Sequence, residues 1–112
     1  MRYLSLYVPT KAFLGPPSPE LMQEMGKLVD DMKKSGKLVA TGGLKKRETE
    51  GLAVTLKDGK YSVEAGPDCE WMRANGFAIL DADSREEVIE QAKRFLKTAG
   101  EGRSEIIEIS YM

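Results

Sequence analysis

The chain has 112 residues, with 17 Lys and Arg, 18 Asp and Glu, one Cys and no His. This length predicts a single domain spanning residues 1–112. The formal net charge of −1 argues against nucleic-acid binding, because such proteins carry a basic excess that neutralises phosphates. The lack of His excludes Ser-His-Asp and Cys-His catalysis and every metal site that uses imidazole.

Composition and the first residues also bear on location. No apolar run approaches the ~20 residues that a membrane span needs, and the N-terminus alternates too strongly for a signal-peptide core. A single Cys cannot form an internal disulfide, which is typical of a reducing compartment. We therefore expect a soluble, cytoplasmic protein with no membrane partner.

The first strand is predicted at residues 2–8 from their alternating polarity. Its two faces carry Leu4, Leu6 and Val8 on one side and Tyr3, Ser5 and Tyr7 on the other.

Two helices are predicted from capping residues and helical spacing. Ser18 is a suitable N-cap followed by Pro19, and Gly36 can end that helix in a left-handed conformation. Ser84 opens the second helix, and Glu87 three residues later completes a capping box. The predicted apolar faces consist of Leu21, Met22, Met25, Leu28, Val29 and Met32 in the first helix and Val88, Ile89, Ala92, Phe95 and Leu96 in the second.

The remaining strands are predicted from short apolar or alternating runs bounded by Gly, Pro and Asp. They span residues 38–41, 52–56, 61–63, 76–80 and 105–111. Asp58-Gly59 is a strong signal for a two-residue hairpin. The charged residues 45–50 are predicted as a polar connection.

This order predicts an α+β domain with the ferredoxin-like plan β-α-β-β-α-β and an extra hairpin. Its two helices would lie on one face of a four-stranded antiparallel sheet, although several strands carry apolar residues on both faces. In a monomer the second face would be a large exposed apolar patch. We therefore expect a homodimer that pairs sheet against sheet.

Residues 64–77 hold the most informative motif, Glu-Ala-Gly-Pro-Asp-Cys-Glu-Trp-Met-Arg-Ala-Asn-Gly-Phe. Together with Gly43-Leu44 before it and the Gly-Glu-Gly turn at 100–102, this segment makes the chain resemble the YCII-related, or DGPF-domain, family of small bacterial proteins. The residues that match the family's pattern are Gly66, Pro67, Glu70, Gly76 and Phe77. Ala65 and Asp68 depart from it, because they stand where Asp and Phe are expected.

The resemblance runs nearly end to end and implies a dimeric α/β barrel built from ferredoxin-like domains. YCII proteins have been suspected of enzymatic activity through a His–Asp pair, which this chain cannot form because it has no His. The resemblance thus implies a family and a fold, but no substrate.

The same segment offers acid–base chemistry. Asp68 and Glu70 are candidate catalytic residues, because apolar neighbours raise the pKa of a carboxyl group towards the range of a general acid or base. Arg73 is a candidate anion anchor, since a guanidinium binds a carboxylate or phosphate in bidentate fashion. The alternative is a solvated loop whose ion pairs contribute little to stability. Gly66-Pro67 predicts a tight turn that needs no ligand.

Tyr3, Tyr7 and Trp71 are the aromatic candidates for ligand binding. If the tyrosine face of the first strand lines a lumen between two sheets, its hydroxyls can orient a small ligand in a largely apolar cavity. The alternative for the tyrosines is packing within the dimer interface. For Trp71, the only Trp, packing in the core or the interface is favoured over stacking on a cofactor.

Three functions remain open from the sequence. The first is a binding protein for a small polar organic ligand held in a cavity of the dimer, without catalysis. The second is a cofactor-free enzyme with a loop carboxylate as general acid or base and Arg73 as anion anchor, and the third is a structural or regulatory interaction module. No cofactor is predicted, and no metal site is predicted because no acidic loop has the spacing of a calcium site.

Overall fold

The computed structural model of the chain describes residues 1–10, 18–67 and 73–110. Within these residues the elements follow one another as β1 (Arg2–Pro9), α1 (Pro19–Lys34), β2 (Leu38–Gly43), α2 (Arg47–Glu50), β3 (Leu52–Lys57), β4 (Lys60–Ala65), β5 (Gly76–Asp81), α3 (Arg85–Ala99) and β6 (Gly102–Glu108). The predicted strands and both predicted helices are present. The predicted polar connection contains the single turn α2. The last strand spans residues 102–108 and not the predicted 105–111, of which residue 111 lies outside the described residues.

Four strands form the main sheet in the order β2-β5-β1-β6, and all neighbouring strands are antiparallel. α1 connects β1 to β2, and α3 connects β5 to β6. The α+β arrangement with antiparallel sheets is consistent with the predicted ferredoxin-like fold. The extra hairpin is also confirmed, because β3 and β4 pair only with each other in a separate two-stranded sheet.

α1 begins and ends as its sequence predicts. The Ser18 hydroxyl accepts a hydrogen bond from the Leu21 backbone N–H at 3.1 Å, and Pro19 occupies the first turn. Lys33 and Lys34 lie in the last turn, where the helix dipole favours positive charge. Gly36 adopts a φ of 74° and ends the helix in the left-handed conformation.

α3 begins with the predicted capping residues. The Ser84 hydroxyl accepts a hydrogen bond from the Glu87 N–H at 3.1 Å. The Glu87 carboxylate in turn accepts one from the Asp83 N–H at 3.1 Å. These bonds satisfy backbone donors that the first turn of a helix leaves unpaired.

The core lies between one face of the sheet and the two long helices. It contains Tyr3 and Leu80 from the sheet, Leu28 and Met32 from α1, Val88 from α3, and Ala82. Both helices therefore cover the same face of the sheet, as predicted. Two residues of the predicted apolar helix faces are exposed, Met22 by 61% and Ile89 by 42%.

The hairpin of β3, β4 and their turn is here called the arm. Its turn is formed by Asp58 and Gly59, whose φ values are 52° and 74°. Two successive positive φ angles are typical of the type I′ turn, whose twist matches that of the flanking strands. The Asp-Gly signal in the sequence is thus confirmed.

Candidate functional site

The structure describes the two ends of the predicted loop site but not its centre. Asp68, Glu70 and Trp71 lie outside the described residues, so their proposed roles stay predictions. Gly66 and Pro67 lead into this segment, and Arg73 follows it.

The Gly66-Pro67 turn is held by the backbone around α2. Gly66 has a φ of 61°, and its N–H donates to the Gly51 carbonyl at 2.8 Å. A Cβ at this position would lie 3.0 Å from the Glu48 carbonyl oxygen and 3.2 Å from its Cα, both rigid backbone atoms. Arg47 donates from Nη1 to the carbonyl of the buried Pro67 at 3.4 Å. These two residues of the family pattern thus have a structural role, as the predicted tight turn requires.

The other end of the loop segment lies against the main sheet. Arg73 is exposed, and two residues later the Asn75 N–H donates to the Tyr7 carbonyl at 2.9 Å. The Asn75 carbonyl accepts from the Leu44 N–H at 3.0 Å. Arg73 is therefore placed close to the end of the sheet where β1 and β2 finish and β5 begins.

Gly76 and Phe77, which match the family pattern, open β5. Phe77 pairs in register with Leu6 of β1 and with Gly42 of β2. A Cβ on Gly42 would lie 3.0 Å from the Phe77 ring, so the ring covers that glycine. Register partners share one face of a sheet, and the Leu6 face is the one opposite the tyrosines.

The tyrosine face of β1 is covered by helices of the same chain, which corrects the expectation that it lines a lumen or an interface between two sheets. Tyr3 is 6% exposed and packs with α1 and α3 in the core. Tyr7 is 8% exposed, and its ring meets that of Phe95 edge-on, with centroids 5.4 Å apart. Alternation reveals that a strand has two faces, but the helices decide which face is buried.

The Tyr7 hydroxyl reaches the turn between α3 and β6. It donates towards the carbonyls of Gly100 and Glu101 at 3.1 and 3.2 Å. Gly102 makes this approach possible, because a Cβ there would lie 2.6 Å from the Tyr7 ring and 2.7 Å from the Val8 carbonyl oxygen. Burial raises the pKa of Tyr7, and burial followed by the nearby Glu108 raises the pKa of Tyr3. Both hydroxyls thus remain protonated at neutral pH.

A small cavity of about 30 Å³ lies between the tyrosine face and the helices. Its polar lining comes from Ser5, Tyr7, Thr41 and Gln91, and the rest is mainly apolar. Pockets for organic ligands occupy roughly 300–1,000 Å³, whereas a cavity of this size accommodates about one or two waters. This cavity beneath the helices is therefore too small for an organic ligand.

Gln91 is a buried polar residue that the sequence analysis missed. Its Nε2 donates to the Asp81 carbonyl at 3.4 Å and lies 3.5 Å from a Glu87 carboxylate oxygen. Among the described residues its Oε1 has no hydrogen-bond partner, and neither does the Ser104 hydroxyl. The available signal was its position between Val88 and Ala92, within the helical spacing of the buried stripe.

The opposite face of the sheet, here called the open face, is largely apolar. Register pairing places Leu4, Leu6, Phe77, Ile79 and Ile107 on it. Ile107 is 54% exposed, although Leu6 near the centre is only 9% exposed. The predicted second apolar face therefore exists, and Ile107 is its most exposed large side chain.

Two ion pairs flank the apolar centre of the open face. At one end, Arg2 Nε lies 2.8 Å from Asp81 Oδ1, and at the other Arg103 Nη2 lies 2.7 Å from Glu105 Oε1. The hydrogen bond from Arg2 is the main cause that lowers the pKa of Asp81 below its ordinary value. The open face thus combines apolar side chains with polar groups at both ends.

The described part of the chain also bears on metal binding and membrane insertion. Within it, no group of three or more Cys, Asp or Glu side chains is arranged to hold a metal ion. No helix among these residues is long and apolar enough to cross a membrane.

Comparison with known proteins assigns the family. No curated protein matches the chain. Among solved structures, the chain is similar to 5-chloro-2-hydroxyhydroquinone dehydrochlorinase (TftG) from Burkholderia phenoliruptrix AC1100, in complex with 2,5-dihydroxybenzoquinone. The two are 17% identical with a TM-score of 0.49, and the alignment covers 100% of this chain and 96% of that chain. The model of the YCII-related domain matches residues 1–110, which confirms the resemblance seen in the sequence, and the chain therefore belongs to the YCII-related family.

Proposed function

We propose that this chain is a homodimeric binding protein that holds a small polar organic molecule between the open faces of two sheets. The observation that supports this is the difference between the two faces of one sheet. The cavity beneath the helices measures only about 30 Å³, whereas on the open face Ile107 is 54% exposed and Leu4, Phe77 and Ile79 are half-buried. The proposal therefore places the ligand on the open face, with a second copy supplying its other wall.

The chemistry of the open face suits a molecule of mixed polarity. Ligand sites typically have apolar walls and a few polar groups that fix orientation. Here the apolar side chains lie between the Arg2–Asp81 pair at one end of the face and the Arg103–Glu105 pair at the other. Two sheets closing face to face would form the dimeric α/β barrel predicted from the sequence, with these pairs near its ends.

The test of the dimer uses two isoleucines in different places. Ile107 on the open face is 54% exposed, and Ile89 on the outside of α3 is 42% exposed. We expect wild-type protein at micromolar concentration to scatter light as twice the 12.4 kDa chain mass. Ile107→Lys should return 12.4 kDa, because it places a charge in the interface, whereas Ile89→Lys should remain dimeric. A wild-type protein of 12.4 kDa contradicts the proposal.

The ligand is sought by thermal-shift screening of metabolite pools, since a molecule that binds only the folded state raises the melting temperature. A ligand of the dimer should stabilise wild type and Ile89→Lys but not Ile107→Lys. If the bound molecule is also chemically converted, loss of turnover in Asp68→Asn or Glu70→Gln, but not in Glu64→Gln, would identify the enzyme alternative.

A further inference from the structure

The arm exposes an unusually apolar surface. Because directly paired residues share a face of a hairpin, the pairs Val54–Val63 and Leu56–Tyr61 place these side chains together with Leu52. These five large apolar side chains are between 60% and 76% exposed. They present on the order of 500 Å² of apolar surface, which is near the upper limit for the largest patch on a monomer.

The opposite face of the arm is polar. It carries Thr55, Lys57, Lys60, Ser62 and Glu64, apart from Ala53 near the base. Strict alternation of this kind is typical of a strand that covers an apolar surface on one side and meets water on the other. Neither the main sheet nor the long helices of the same chain cover the apolar side, since all five side chains are exposed.

The base of the arm is closed by contacts between the two segments that flank its strands. The Gly66 N–H donates to the Gly51 carbonyl at 2.8 Å, directly beyond the last paired residues Leu52 and Ala65. Arg47 adds the contact to the Pro67 carbonyl at 3.4 Å. Because the two strands are already joined at the turn and at the base, the hairpin loses less conformational entropy when a partner docks.

We propose that the apolar face of the arm packs against a second copy of this chain. This inference rests on the proposed homodimer and adds the arm to its interface. In a two-fold dimer the two arms and the surfaces that they cover would bury roughly 2,000 Å², comparable with the ~1,200–2,000 Å² of a stable, specific interface.

The contact is made by the face of the arm and not by strand addition at its edges. Lys57 and Lys60 flank the turn on both strands, and lysines on edge strands discourage pairing with further strands. Face packing leaves both lysines on the polar side, in contact with water.

Two matched double variants test the proposal. Val54→Lys with Val63→Glu places an opposite-charge pair on the apolar face, and Thr55→Lys with Ser62→Glu places the same pair on the polar face. Both are directly paired positions, so each variant adds one cross-strand ion pair within the arm. We expect the first variant to raise the dimer Kd by roughly 30-fold or more and the second to leave it within about threefold, measured by sedimentation.

A thiol-accessibility measurement keeps the proposal testable if the charged variant fails to fold. Val63→Cys and Ser62→Cys are prepared with Cys69→Ser, which removes the only native thiol. The reaction of each thiol with a disulfide reagent is followed across the protein concentrations at which the dimer forms. We expect the thiol at position 63 to react about tenfold more slowly in the dimer, and that at position 62 to react at an unchanged rate.

The outcomes separate this inference from the proposed function. The inference is overturned if Ile107→Lys abolishes the dimer while the arm variant keeps the wild-type Kd. It is also overturned if both thiols stay equally reactive in the dimer, because the apolar face of the arm then does not contact the second copy. If the arm variant dissociates but Ile107→Lys remains dimeric, the arm contact stands and pairing through the open face is wrong. A wild type that is monomeric at every concentration overturns both.

Discussion

Arg2 and Asp81 face each other across β1 and β5, with Nε 2.8 Å from Oδ1 and Nη2 3.2 Å from Oδ2. Their backbones are register partners, so this two-point contact joins neighbouring strands at one end of the open face. It fixes a charged pair beside the apolar surface where we propose that two sheets meet.

This pair predicts a specific pH dependence. Because the hydrogen bond from Arg2 lowers the pKa of Asp81, its contribution to stability is fully present above the unfolded-state pKa of about 4. The contribution is lost as the pH falls towards the lower pKa of the folded state. We expect Asp81→Asn to lower the free energy of unfolding at pH 7, with a smaller difference from wild type at pH 3, measured in urea. Asp30→Asn, on the exposed side of α1, is the control and should leave urea unfolding at pH 7 unchanged.

Tyr7→Phe should destabilise the protein by about 1–2 kcal/mol at pH 7, because it removes the hydrogen bonds to the carbonyls of Gly100 and Glu101. Burial raises the pKa of Tyr7, so the stabilising neutral form is present below the unfolded pKa of about 10 and is lost as the pH rises further. The loss of stability above pH 10 should therefore be smaller in Tyr7→Phe than in wild type. Tyr61→Phe, at a site that is 76% exposed, should leave urea unfolding unchanged at pH 7. An equal effect of the two substitutions contradicts the prediction.

Gly66→Ala should lower the free energy of unfolding by about 2–4 kcal/mol, because it combines an unfavourable left-handed residue with contact against the Glu48 backbone at 3.0 Å. Gly36→Ala is the matched control, since Gly36 also has a positive φ of 74° but would meet nothing within 4 Å. It should cost only about 1 kcal/mol. Equal costs in urea unfolding would mean that α2 does not constrain the turn.

Gln91→Met tests the cavity beneath the sheet. The substitution keeps the length of the side chain and removes the Oε1 atom that has no partner among the described residues. Removing an unpaired buried acceptor stabilises the protein, whereas losing the long Nε2 contact of 3.4 Å destabilises it. We therefore expect the free energy of unfolding to stay within about 1 kcal/mol of wild type. A loss well above that value would mean that Gln91 Oε1 accepts a hydrogen bond in solution, for example from a buried water.

Local sequence signals predicted the elements, because the interactions that produce them join residues close in the chain. Ser18 and Ser84 cap helices through the backbone three residues ahead, and Asp58-Gly59 forms the turn that its conformational preferences favour. The family was also recognised from short motifs, since the YCII-related model matches residues 1–110. The Gly66-Pro67 turn was predicted, although its support by α2 was not.

Composition by itself determined which chemistry is missing. Because the chain has no His, it has no imidazole base and no imidazole metal ligand. Alternation determined that β1 has two faces, and only the tertiary structure decided that Tyr3 and Tyr7 lie under the helices while Leu4 lies on the open face. The same holds for the arm. Its alternating pattern predicted two strands, but only the structure showed that Val54 and Val63 are exposed. The physical reason is that caps and turns are satisfied within a few residues, whereas the choice of a buried face depends on surfaces brought together from distant parts of the chain.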